Sequence, residues 1–134
     1  MTSTARTSIS AFPRGHEFDA SRFSLSAEQV AAYLHATGDA GDYGAHVPPL
    51  AAVALGLRAL QEQIALPEGS LHTGQEAEHH AALRCGDELV LTGRIAQRSE
   101  RQGFVISVIE FEVTAGGEAA VRARATIMAP AGGA

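Results

Sequence analysis

Pro48-Pro49-Leu50-Ala51-Ala52-Val53-Ala54-Leu55-Gly56-Leu57-Arg58-Ala59-Leu60 is the stretch whose reading settles the architecture. Two prolines suit the first turn of a helix, where the missing N–H groups have no intrahelical partner anyway. Leu50, Val53, Ala54, Leu57, Leu60 and Ile64 recur at helical spacing, and Ala51, Ala52 and Gly56 widen the apolar face. A helix apolar on most sides has to be buried. The pattern therefore predicts a helix wrapped by a sheet, with Arg58, Gln61 and Glu62 at its wetter end and a turn at Leu66-Pro67-Glu68-Gly69.

The sheet is read on the C-terminal side. Ser70 to Ala82, Asp87 to Arg98, Gly103 to Thr114 and Glu118 to Met128 form four extended segments, with a tight hairpin at Gly116-Gly117 and a longer turn over Ser99–Gly103. In the third segment Val105, Ile109, Phe111 and Val113 alternate onto one face. The other face carries Phe104, Ile106 and Val108 and then Glu110 and Glu112. One face is apolar throughout, and the other turns polar along its length. That suits a curved antiparallel sheet with its second face partly against a partner. On the N-terminal side, Phe18 to Leu25 allows a short strand. Ser26-Ala27-Glu28-Gln29 is a capping box that opens a helix striped by Val30, Tyr33 and Leu34 and stopped by Gly38. The expected organisation is a flexible segment 1–17, one α+β domain over 18–130, and a tail 131–134.

Composition narrows the class. A chain of 134 residues forms one domain, and 46% hydrophobic with 19% charged residues describes a globular protein. A net charge of −5 offers no basic surface to phosphate backbones, so no nucleic-acid partner is expected. The longest apolar run, around Val47 to Leu57, is too short to span a bilayer, and Met1 to Ser10 lacks the apolar core of a signal peptide. A single cysteine, Cys85, fits a small buried or half-buried apolar residue in a reducing compartment, and a cytoplasmic protein is expected.

Chemistry concentrates in the loop before the central helix, Gly38-Asp39-Ala40-Gly41-Asp42-Tyr43-Gly44-Ala45-His46-Val47. Carboxylate and imidazole are the usual groups for moving protons to and from water or carbon. The competing reading is a tight connector whose polar residues face solvent. Along the first long strand His72, Gly74, Glu76, Glu78 and His80 alternate onto one face, and Thr73, Gln75, Ala77 and His79 onto the other. No tight metal-ligand spacing occurs there, so neither a metal nor another cofactor is expected. Arg94, Arg98, Arg101, Arg122 and Arg124 read either as phosphate contacts or as strand decoration opposite Glu110 and Glu112.

Several short runs in the right order carry a family resemblance. They are Tyr33-Leu34-His35-Ala36-Thr37-Gly38-Asp39, Val47-Pro48-Pro49-Leu50, Leu66-Pro67, Leu71-His72-Thr73-Gly74-Gln75-Glu76, Cys85-Gly86-Asp87-Glu88-Leu89 and Ala125-Thr126-Ile127-Met128-Ala129-Pro130. Together the chain resembles the hotdog fold and, within it, the N-terminal-type MaoC-like acyl-thioester dehydratases and hydratases. The resemblance implies a curved antiparallel sheet around a long helix, and a dimer with itself or with another hotdog subunit. It implies an acyl-CoA or acyl-carrier-protein thioester as substrate, with water added to or removed from its α,β double bond. It carries Asp39 onto the family's loop aspartate, with Asp42 and His46 as an alternative dyad. Val47, Pro48, Pro49, Leu50, His72 and Gln75 become the substrate-binding set. Two departures stand out: position 44 is glycine where the family has histidine, and Pro49 replaces a glycine whose N–H would polarise the thioester carbonyl. The resemblance thus allows an (R)-specific hydratase or dehydratase, a non-catalytic subunit of a two-subunit dehydratase, or, less well, a thioesterase using Glu62.

Overall fold

The computed structural model describes residues 6–131 except Ala40 and Asp42, and of Pro49 and Leu50 it describes the backbone alone. Strands β1 (Thr7–Ser8) and β2 (Ser21–Phe23) precede helices α1 (Ala27–Thr37) and α2 (Pro49–Leu60). A 3-10 turn over Gln61–Gln63 and the short β3 (Ile64–Ala65) follow. Four long strands complete the chain: β4 (Leu71–His79), β5 (Leu89–Arg101), β6 (Phe104–Ala115) and β7 (Glu118–Pro130). An antiparallel sheet in the order β2-β5-β6-β7-β4 carries α2 on one face, which is the hotdog arrangement.

Local chemistry explains the element ends. The Ser26 hydroxyl accepts the Gln29 N–H at 3.0 Å, and the Gln29 side chain accepts the Ser26 N–H at 2.9 Å, so both halves of the capping box form. Gly38 closes α1 in the left-handed region at φ 71°, where a side chain would be strained. Ser26→Ala should therefore cost about 1 kcal/mol of stability, read as a lower denaturant midpoint at unchanged slope. Gly116 and Gly117 (φ 59° and 81°) connect Ala115 directly to its cross-strand partner Glu118 as a two-residue hairpin.

Three expectations need correcting. The turn after β5 is two residues, Gln102-Gly103, not five, because Ser99 to Arg101 continue the ladder opposite Val105, Ile106 and Phe104. Ile64 is not on the helix: α2 ends at Leu60, and Ile64 pairs with Thr7 in a parallel bridge. Residues 7–17, read as a flexible segment ahead of the domain, pack on it. Ile9 is fully buried, Phe12 and Phe18 are buried, and the His16 ring lies 4.4 Å from that of Phe12. Apolar residues this short of a periodic pattern give a sequence reader nothing to assign.

The core forms where α2 crosses β5, β6 and β7. Ala51, Ala52, Val53, Leu57 and Leu60 meet Leu91, Ile95, Ile109, Phe111, Val113 and Val121. The alternation read in β6 is the one observed: Val105, Ile109, Phe111 and Val113 are buried, while Ile106, Val108, Glu110 and Glu112 lie half-buried on the outer face. Ser107 interrupts the buried row, and its hydroxyl has no hydrogen-bond partner among the described residues. No helix among the described residues is long and apolar enough to cross a membrane.

Strand β4 is different. It sits at the sheet edge, α2 does not cover it, and nearly all of its residues are exposed. A register shift between His72 and Gly74 makes Thr73 a bulge residue. Before the bulge His72 faces Ile127; after it Gln75, Ala77 and His79 face Ala125, Ala123 and Val121. Those partners are all buried, so His72, Gln75, Ala77 and His79 share the helix side of the sheet, and Gly74, Glu76 and Glu78 point outward. Strict alternation had placed His72 with Glu76 and Glu78. The bulge overturns that.

Candidate functional site

The loop between the two helices is pinned at its far end. Val47 N–H donates to the Leu83 carbonyl at 2.7 Å, Cys85 N–H donates to the Ala45 carbonyl at 2.8 Å, and His46 bridges Arg84. These bonds hold the 81–85 segment against the start of α2. They border a cleft of about 410 Å³ lined by His46, Val47 and Ala52 and, from the sheet and the segment after β4, by His79, His80 and Val121. Small apolar side chains and three imidazoles share its lining. Such a lining suits an apolar ligand arm better than a charged one. Cys85 is half-buried, as expected.

Asp39 lies outside this cleft and is tied into its own loop. One carboxylate oxygen accepts the Gly41 N–H at 2.7 Å and the other accepts the Tyr43 hydroxyl at 2.7 Å. The Gly41 bond first, and the Tyr43 bond second, hold the Asp39 carboxyl below its usual range; the Tyr43 phenol is raised, chiefly by the same Asp39 bond. A depressed carboxylate is a poorer base, whereas general-base work wants a pKa near the operating pH. Asp39 does not line the cleft; its partner Tyr43 does, beside His46. Asp42, the other candidate aspartate, lies outside the described residues.

The start of α2 offers few donors. Pro48 and Pro49 have no N–H, and the N–H groups of Ala51 and Ala52 both turn back to the Pro48 carbonyl, at 3.0 and 3.2 Å. Leu50 supplies the one remaining N–H of that first turn by its position in the sequence; the side chains of Pro49 and Leu50 lie outside the described set. Val47, which lines the cleft, and Pro48, the cap of α2, are both buried. His72 and Gln75 lie further along β4 and do not line the cleft, and the Gln75 amide donates to the Arg124 carbonyl at 3.1 Å. The structure thus gathers His46 and Val47 at the cleft, with Pro48 capping the helix beside it, and leaves Asp39, His72 and Gln75 outside it.

Tyr43, Ala52, His79 and His80 were not in the expected set. Tyr43 sits four residues past Asp39, which is a legible spacing for a tyrosine–carboxylate bond. His79 could not be found without knowing the bulge. Of the arginines, Arg94 and Arg122 are paired to Glu110 (3.3 Å) and Glu112 (3.0 Å), so they decorate the outer face instead of reaching the cleft. No group of three or more His, Cys, Asp or Glu among the described residues could hold a metal ion.

Residues 13–123 match the family described as FAS1-like, dehydratase domain region. No curated protein matches the sequence. Among solved structures, the monoamine oxidase regulatory protein from Archaeoglobus fulgidus superposes with a TM-score of 0.81 at 8% identity, covering 97% of this chain and 98% of that one. A MaoC-like dehydratase from Rhodospirillum rubrum gives 0.72 at 18% identity, over 92% and 97% of the two chains. The C-terminally truncated HadBC complex of Mycobacterium tuberculosis, a (3R)-hydroxyacyl-ACP dehydratase, gives 0.68 at 21% identity, over 86% and 96%. At these identities the likeness is one of fold.

Proposed function

We propose that this chain, which belongs to the family of FAS1-like dehydratase domain regions, is an acyl-thioester-binding hotdog subunit that works beside a second hotdog subunit carrying the proton-transfer residues. The observation that carries this reading is the Asp39 carboxylate, which lies outside the cleft and is held ionised by hydrogen bonds from Gly41 and Tyr43. A general base works best with a pKa near the operating pH and within reach of the water it activates. Proline at both 48 and 49 supports the same reading, because it strips the helix start of donors for a developing oxyanion. The cleft beside α2 remains suited to an acyl-thioester arm. The nine-residue β4 edge, bare on one side and uncovered by the helix, suits strand pairing with a hotdog partner.

One observation favours a second reading. His46 lines the cleft two residues before the cap of α2, where a single imidazole could serve a stand-alone (R)-specific enoyl-CoA hydratase or 3-hydroxyacyl dehydratase. The thioesterase reading has no such support, since Glu62 is exposed in the turn beyond the far end of the helix. Hydration of crotonyl-CoA separates the two. The purified chain alone should bind acyl-CoA by calorimetry yet hydrate crotonyl-CoA no faster than buffer. If it does turn over, and His46→Ala slows it by about a hundredfold or more, the scale for a positioned acid or base, the stand-alone reading replaces ours.

A further inference from the structure

The outer face of the sheet carries a charge pattern that the acyl-thioester reading does not use. Across β5, β6, β7 and β4, the register aligns Arg94, Glu110, Arg124 and Glu76 in one row. The next row is Thr92, Glu112, Arg122 and Glu78. In the other direction the rows turn apolar on β6, β7 and β4, with Gln97, Ser99 and Arg101 at their β5 ends: Val108 beside Thr126, then Ile106 beside Met128 beside Leu71, then Phe104 beside Pro130. Leu71 is 56% exposed and Phe104 36% exposed, the largest apolar side chains left open on this face. A groove of about 870 Å³ runs across the charged half.

We infer that this face is the docking surface for a second copy of this chain, stacked back to back about a two-fold axis parallel to the strands and lying over the β6/β7 boundary. Such an axis exchanges β5 with β4 and β6 with β7 while keeping each row over itself. Arg94 then faces the second copy's Glu76, and Glu110 faces its Arg124. In the next row Glu112 faces Arg122, and Thr92 faces Glu78. In the apolar half Ile106 meets Met128 and Phe104 meets Pro130. Three kinds of contact, each made twice, set opposite charges face to face; Glu78 meets the uncharged Thr92, and β6 and β7 bring apolar residues together. A surface that complements itself under a two-fold is what an isologous interface requires. Packed sheets cross at roughly 30°, a shift that long arginine and glutamate side chains can follow. Neither an acyl-thioester nor a nucleic acid has chemistry to match alternating carboxylates and guanidinium groups. The stacking leaves the β4 edge itself free, so it is independent of the subunit pairing proposed above.

Arg94 and Glu76 give a clean test because within one chain they lie three strands apart, about 14 Å, too far for direct pairing. Sedimentation velocity on the full chain at micromolar concentration would follow the assembly mass. Arg94→Glu alone and Glu76→Arg alone each place like charges opposite each other twice, and each should halve the mass. Mixing the two single variants restores opposite charges at both contacts and should restore the full mass. Met128→Lys should also halve it, with no rescue by either partner. Circular dichroism would confirm folding, and if Arg94→Glu does not fold, Glu76→Arg and Met128→Lys decide. An unmodified chain without this assembly, single variants that keep the full mass, or a mixture that stays at half mass would each overturn the inference.

Discussion

Leu60→Ala is expected to lower unfolding stability by about 2–5 kcal/mol, through lost burial and the cavity left behind. Leu60 is the last residue of α2 and only 1% exposed. Its side chain reaches the sheet above Gly93, where a Cβ would lie 3.5 Å from the Leu60 Cδ1. Gly93 has no side chain to move into the space a truncated Leu60 leaves. The Glu110 carbonyl and Phe111 Cβ beside it, at 3.3 and 3.4 Å from the same point, are held by the ladder. Poor relaxation puts the cost in the upper half of that range. Denaturant unfolding measures it; a loss below about 1 kcal/mol would mean that the helix is not seated on the sheet as described.

Gly56 makes the second test, because two effects of opposite sign compete there. Glycine within a helix is about 1 kcal/mol worse than alanine. A Cβ at Gly56 would meet Val113 Cγ2 at 3.4 Å, Leu91 Cδ1 at 3.9 Å and Phe111 Cε2 at 4.0 Å, which is ordinary packing contact. Gly56→Ala should therefore be neutral or stabilising by up to about 1 kcal/mol. Gly56→Leu pushes three further carbons into space that Val113, Leu91 and Phe111 already fill. Overpacking of that kind costs about 1–3 kcal/mol, outweighs the propensity gain and reverses the sign. The pair of midpoints checks the argument: a Leu variant as stable as the Ala variant would place Gly56 away from the sheet.

Elements governed by short-range chemistry were legible in the sequence. Ser26 and Gln29 cap α1, Gly38 ends it, and Gly116-Gly117 makes the hairpin, since each depends on neighbours within four residues. The faces of β6 were legible because strict alternation runs through it without a break. The rest depended on partners far along the chain. Ile9 is buried because the 3-10 turn over Ile9–Ala11 happens to reach β6 and β7, and Ile64 leaves the helix because Thr7 is there to pair with it. The site divided in the same way. His46, Val47 and Pro48 lie together because they are consecutive. The engagement of Asp39 by both Gly41 and Tyr43 turns on the fold of the loop between α1 and α2. His79 entered the cleft only through an irregularity in β4 that its own residues do not announce.

That irregularity has a consequence for how specificity could change. The single unpaired residue at Thr73 is a phase shift: everything downstream in β4 is turned over relative to everything upstream. The same sequence paired straight through Thr73 would present the other half of β4 to the helix side. Gly74, Glu76 and Glu78 would replace Gln75, Ala77 and His79 there. Glu78 would stand against Val121, where His79 lines the cleft now, and the cleft would gain a carboxylate in place of an imidazole. No substitution and no deletion would be required, only a place for Thr73 in the ladder.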